Sequence, residues 1–183
     1  MARAIPVCGL LAVLAVAGCG GGDKVKGGAP AAAPARLVVT SPAFAGGATI
    51  PTRFTCAGAG ARPALRFGGI PSDAAEVALL VIDPDAGGFV HWTVYGMAPD
   101  VRGIAARGLP PGAREGKSST GEEGWTPPCP PPGSGTHRYQ FELYWLRRRS
   151  GLDAGADPQA VVTAIKAGAG GRGELIGRFA RRS

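Results

Sequence analysis

Residues 77–95 read Val77-Ala78-Leu79-Leu80-Val81-Ile82-Asp83-Pro84-Asp85-Ala86-Gly87-Gly88-Phe89-Val90-His91-Trp92-Thr93-Val94-Tyr95. Val77 to Ile82 is a continuous apolar run of strand length, and Asp83-Pro84 ends it. Beyond the turn, Phe89 to Tyr95 is aromatic and β-branched, the composition of a second strand.

Outward from this pair, Tyr139 to Leu146 has the same character, and Gly and Pro turns separate the remaining short apolar segments. Short strands bounded by turn residues predict a mainly β domain built as an antiparallel sandwich. One helix is signalled, with Asp157 as N-cap, Pro158 in the first turn, Ala160 to Ile165 as body and Gly168 as stop. Residues 37–183 make one domain of ordinary size.

The N-terminus has a different composition. Arg3 is a minimal charged region, Val7 to Ala17 is apolar but too short to span a bilayer, and Val16-Ala17-Gly18-Cys19 fits a bacterial lipobox. Residues 1–18 are therefore expected to be a lipoprotein signal peptide and Cys19 the lipidated first residue of the mature chain; an ordinary secretory signal or a buried helix is the alternative. Each buried acyl methylene contributes about 0.8 kcal/mol to anchoring. Residues 19–36 are Gly, Ala and Pro with a few charges, a composition that cannot bury enough apolar surface to order itself and reads as a flexible tether. The protein is expected in the bacterial cell envelope, facing the periplasm or the exterior.

The chain carries 20 Lys and Arg against 13 Asp and Glu, and loss of Arg3 with the leader lowers the formal charge from +7 to +6. A basic surface favours anionic partners. Arg147-Arg148-Arg149 and Arg181-Arg182 lack interleaved aromatics, however, so the charge reads as a solvated face and nucleic acid is not an expected partner. With Cys8 in the leader and Cys19 acylated, Cys56 and Cys129 remain to pair in an oxidising compartment; two buried free thiols are the alternative.

Both histidines fall within residues 83–139, among an unusual density of prolines that includes Pro127-Pro128-Cys129-Pro130-Pro131-Pro132. Titratable groups on proline-stiffened turns suit a preformed pocket, because proline fixes φ and reduces the entropy lost on ordering. His137 and Tyr139 lie two apart at the head of a strand and share a face, whereas Arg138 turns to the opposite face, where an ion pair is expected. From the residues alone, two such histidines are more often satisfied structural groups than members of one site.

Five segments in order resemble the phosphatidylethanolamine-binding protein family, which includes Raf kinase inhibitor proteins and bacterial members of the YbhB and YbcL type. They are Leu37 to Phe44, Ile50 to Cys56, Asp83-Pro84-Asp85-Ala86 with Phe89-Val90-His91-Trp92, Pro127 to Tyr139, and Gly173 to Gly177. The resemblance implies antiparallel sheets with a few short peripheral helices. It also implies that Asp83, His91, Pro130, Pro131, His137 and Tyr139 surround a small pocket for an anionic group such as phosphate or a phospholipid headgroup. Asp85 is a further candidate ligand-binding residue, with capping of its own turn as the alternative. The expected chemistry is donation from imidazole and phenol to anionic oxygens, a carboxylate that fixes a histidine tautomer and raises its pKa, and a proline wall of low dielectric.

The sequence departs from the family pattern in places. Ala86-Gly87-Gly88 lacks the proline usual after the alanine, Arg62-Pro63-Ala64-Leu65-Arg66-Phe67 replaces a common Ser-Pro-Pro-Leu-x-Trp, and Pro127 stands where glycine is usual. These changes put the rim and the ligand size in question, but not the core positions. Gly112 to Ser118 imitates a P-loop with one spacer too few and no following apolar helix, and no Gly-x-Ser-x-Gly elbow occurs; Ser134 between glycines reads as turn chemistry. His91, His137 and Asp83 match no compact metal motif. The expected function is a membrane-tethered extracytoplasmic protein that binds a small anionic ligand, without cofactor or metal and without catalysis, since no activated nucleophile is identifiable. The alternatives are an inhibitor of a protease or other enzyme acting through surface loops and, third, a weak hydrolase built on His91, Asp83 and His137.

Overall fold

The computed structural model describes residues 36–182. The expected leader, the lipidation site Cys19 and the tether up to residue 35 lie outside them.

The elements run β1 (Val38–Thr40), β2 (Leu65–Gly68), β3 (Glu76–Asp83), β4 (Phe89–Met97), β5 (Gly103–Ile104), β6 (Arg114–Glu115), β7 (His137–Leu146), α1 (Pro158–Gly168) and β8 (Ala169–Phe179). Single 3-10 turns lie at Thr52–Phe54 and Pro84–Ala86. Two antiparallel sheets form, β1-β2-β5 and β6-β4-β3-β7-β8. The expected mainly β sandwich is the fold observed.

β3 is central to the large sheet, and all eight of its residues are buried. Val77, Leu79 and Val81 enter the core between the sheets with Trp92, Phe141 and Leu143. Ala78, Leu80 and Ile82 enter a second core with Tyr95, Tyr144, Val161 and Ile165 of α1. Burial on both faces explains why this strand reads as an unbroken apolar run instead of alternating.

Asp157 caps α1 as expected, its Oδ1 accepting from the Gln159 and Ala160 amides at 2.9 and 3.2 Å. Gly168 is not the stop; it is the last helical residue, and the chain passes at Ala169 straight into β8. Gly168 is buried beside Leu146 and is not among the left-handed glycines. Cys56 and Cys129 are joined in a disulfide with Cα atoms 5.3 Å apart.

Candidate functional site

At the end of β3, Asp83 is 2% exposed and uses both carboxylate oxygens. Oδ1 accepts from the Asp85 amide at 2.9 Å and the Ala86 amide at 3.2 Å, capping the 3-10 turn; Oδ2 accepts from His137 Nδ1 at 2.7 Å. The capping role considered for Asp85 thus belongs to Asp83. Gly87 closes the turn at φ +66°, a conformation closed to proline, which accounts for the missing family proline at that position.

β7 turns His137 and Tyr139 inward and Arg138 outward. Arg138 binds Asp85 through Nε at 2.9 Å, NH2 at 2.6 Å and its backbone amide at 2.8 Å. These bonds hold the Asp85 carboxyl at about 2, below the usual carboxylate range. Asp85 therefore does not line the cavity described below; its carboxylate is spent on the outer face.

His91 reaches the site through a β-bulge. Val81 pairs with Trp92 and Ile82 with Val90, so His91 is an extra residue without a partner on β3. Regular alternation from Trp92, which sits in the inter-sheet core, would turn His91 to the helix side; the bulge re-aims it. Its ring meets Tyr139 edge-on at 5.2 Å and Phe89 at 4.7 Å. Nδ1 lies 2.9 Å from the Thr126 carbonyl, and the Thr126 amide donates to the His91 carbonyl at 2.8 Å. A carbonyl only accepts, so Nδ1 carries the proton. Burial is the main effect on the ring and lowers its pKa; the Thr126 carbonyl and Asp83 oppose it. The carboxylate expected to fix a histidine tautomer is thus beside His137, while His91 takes its tautomer from a backbone carbonyl and has a depressed, not raised, pKa.

These groups line a cavity of about 280 Å³ together with Ala86, Thr120, Pro127, Cys129, Pro130 and Pro131. The Tyr139 hydroxyl is buried and has no hydrogen-bond partner. Burial first, and the Asp83 carboxylate second, hold this phenol protonated well above the ordinary tyrosine range. An orphaned buried donor is costly in a folded protein and calls for a ligand or solvent partner. Four surface grooves are larger, about 570 Å³ beside Val101 and Leu109, 720 Å³ beside Arg178 and Arg181, 490 Å³ beside Trp145 and Arg172, and 400 Å³ beside Val39 and Glu174, but none gathers buried titratable groups. Among the described residues no three His, Cys, Asp or Glu side chains assemble at metal-binding distances.

Sequence reasoning missed Phe89, Thr120, Thr126 and the second role of Ser134. The Ser134 hydroxyl donates to the Pro131 carbonyl at 2.8 Å, the turn chemistry expected, and also meets His137 Nε2 at 3.1 Å. No local signal announces Thr126, because its contact with His91 depends on the bulge. Arg62, a departure from the family pattern, lies over the Trp92 ring at 4.8 Å and pairs with Glu115 at 3.3 Å, so its role is structural.

Comparison with known proteins matches residues 40–180 to the phosphatidylethanolamine-binding protein family model. The chain belongs to this family. LppC of Mycobacterium tuberculosis, which carries the name of a lipoprotein, is 40% identical over 191 residues, covering 96% of this chain and 94% of its own. Two solved family structures have the same fold. The Escherichia coli protein YbcL superposes with a TM-score of 0.75 at 26% identity, covering 81% of this chain and 100% of its own. The Chlamydia trachomatis homologue CT736 superposes with a TM-score of 0.73 at 32% identity, covering 80% of this chain and 99% of its own. The family thus accounts for the sandwich, and the bulge, the Asp83–His137 pair and the proline segment are how this chain builds the cavity within it.

Proposed function

We propose that the protein is a membrane-tethered extracytoplasmic binding protein whose cavity takes a small anionic oxyacid group, of the kind presented by phosphate, a phospholipid headgroup or a carboxylate. The observation that carries the reading is the buried, unpartnered Tyr139 hydroxyl beside His91 in a cavity walled by prolines. In such surroundings a hydrogen bond to a charged oxygen contributes roughly 1.5 to 3 kcal/mol. The volume of about 280 Å³ lies at the small end of ligand pockets, which favours a headgroup-sized ligand.

Tethering through Cys19 is supported by the lipobox and by the likeness to LppC along nearly the whole chain. The test of the binding reading is titration of the mature protein with inorganic phosphate, read by melting temperature and by the ring resonances of His91 and His137. Phosphate should raise the melting temperature and move both sets of resonances. An unchanged melting curve and unmoved histidines at millimolar phosphate and carboxylate would end the reading.

A further inference from the structure

The hydrogen-bond inventory of the cavity settles which of its groups remain free for a ligand. The Ser134 hydroxyl has one proton, and it is given to the Pro131 carbonyl; His137 Nε2 must therefore be the donor in its contact with Ser134. Its other nitrogen faces the Asp83 carboxylate at 2.7 Å and donates there. Both ring nitrogens of His137 are thus committed, one to Asp83 and one to Ser134. Asp83 is committed as well, to two amides and to His137.

Two groups remain. Tyr139 has a free donor. His91, whose Nδ1 proton is held by the Thr126 carbonyl, has only the lone pair of Nε2. The ionisable groups around His91 are Asp83 and His137, which are hydrogen-bonded to each other and together carry no net positive charge; the proline segment brings none, and the Asp85–Arg138 pair lies on the outer face. Burial further disfavours protonating His91. A fully ionised oxyanion would put a lone pair against that of Nε2, with no net positive charge in the lining to offset it.

Resting on the reading above, we infer that the cavity selects a singly protonated oxyacid, whose own hydroxyl donates to His91 Nε2 while another of its oxygens accepts from the Tyr139 hydroxyl. A terminal phosphomonoester has such a hydroxyl, since its second pKa is near 6. The phosphodiester that joins an intact phospholipid to its headgroup does not.

Three nearly isosteric ligands separate these cases: methyl phosphate, methyl sulfate and dimethyl phosphate, titrated calorimetrically into the mature protein. At pH 5 each carries a single negative charge, and only methyl phosphate has an acidic hydroxyl. Methyl phosphate is expected to bind at least about tenfold more tightly than the other two, the worth of one hydrogen bond. Its affinity should fall by about tenfold per pH unit above pH 6 as the hydroxyl ionises, while methyl sulfate binding stays flat. In the complex, the His91 ring nitrogens should report a neutral ring protonated at Nδ1. His91→Gln can turn an amide donor to the ligand and should bring methyl sulfate within about threefold of methyl phosphate; should this variant fail to fold, the wild-type ratios decide. Equal binding of the three ligands at pH 5, or a His91 imidazolium in the complex, would overturn the inference and leave anion binding intact. Tighter binding of dimethyl phosphate would overturn it in favour of the intact lipid diester. Binding of none of the three would overturn the underlying reading.

Discussion

Asp83 and His137 stand 54 residues apart in the chain, yet Nδ1 of the ring lies 2.7 Å from Oδ2 of the carboxylate, and neither side chain exposes more than 9% of its surface. The pair ties the end of β3 to the start of β7, and the same carboxylate caps the turn that leads into β4. One side chain therefore sets the relative position of three elements around the cavity.

Asp83→Asn should cost about 3 kcal/mol, because it removes the charged acceptor of the buried His137 ring and weakens the cap. Urea unfolding measures this. A double-mutant cycle with His137→Gln should show positive coupling between the two sites; additive losses would mean that the pair contributes packing alone.

The apo protein should gain stability as pH rises from 5 to 7 through His91. Its folded pKa is lowered, so the unfolded chain binds the proton more readily below the unfolded value of about 6.5. The contribution is present above that value and is lost as pH falls toward the folded pKa. Asp85, held at about 2, remains charged throughout this window. The stability difference between wild type and His91→Gln, read from urea midpoints, should therefore grow with pH; a difference constant across the window would contradict this.

Tyr139→Phe removes a buried hydroxyl that has no partner in the protein. Apo stability should change by less than about 0.5 kcal/mol, whereas phosphate affinity should fall roughly tenfold. A hydroxyl that served the fold would show the reverse, a lower melting temperature with binding preserved.

The Cys56–Cys129 bond closes a separation of 73 residues, worth about 4 kcal/mol in the chain-entropy model. Cys56→Ser with Cys129→Ser should lower the urea midpoint accordingly. Cys129 also lines the cavity, so phosphate affinity should drop in the same variant at temperatures where it is still folded.

Intact-mass analysis of the protein from its native host should find a diacyl or triacyl adduct on Cys19, and Cys19→Ser should release the product from membranes or leave it unprocessed. An unmodified mature terminus at another residue would count against anchoring.

The apolar run Val77 to Ile82, of strand length and ended by Asp83-Pro84, is enough to place a strand, and the structure shows it buried on both faces. Period-two alternation likewise places His137 and Tyr139 on one face and Arg138 on the other, because adjacent strand residues point in opposite directions. Both readings rest on local stereochemistry. The bulge at His91 is invisible to such reasoning: it depends on register between two strands, and Thr93-Val94-Tyr95 would look the same without it. The division of labour among the carboxylates is equally non-local, since Asp83 turns inward and Asp85 outward only because His137 and Arg138 arrive from β7 to receive them. Gly168 resembled a helix stop in sequence, yet the helix includes it and the chain passes into β8 at Ala169. The chain itself determined which segments are strands and which side chains are available for chemistry. Only the tertiary structure decided which of those side chains satisfy one another and which, like the Tyr139 hydroxyl, are left without a partner, because hydrogen bonds between residues far apart in sequence exist only once the sheets have packed.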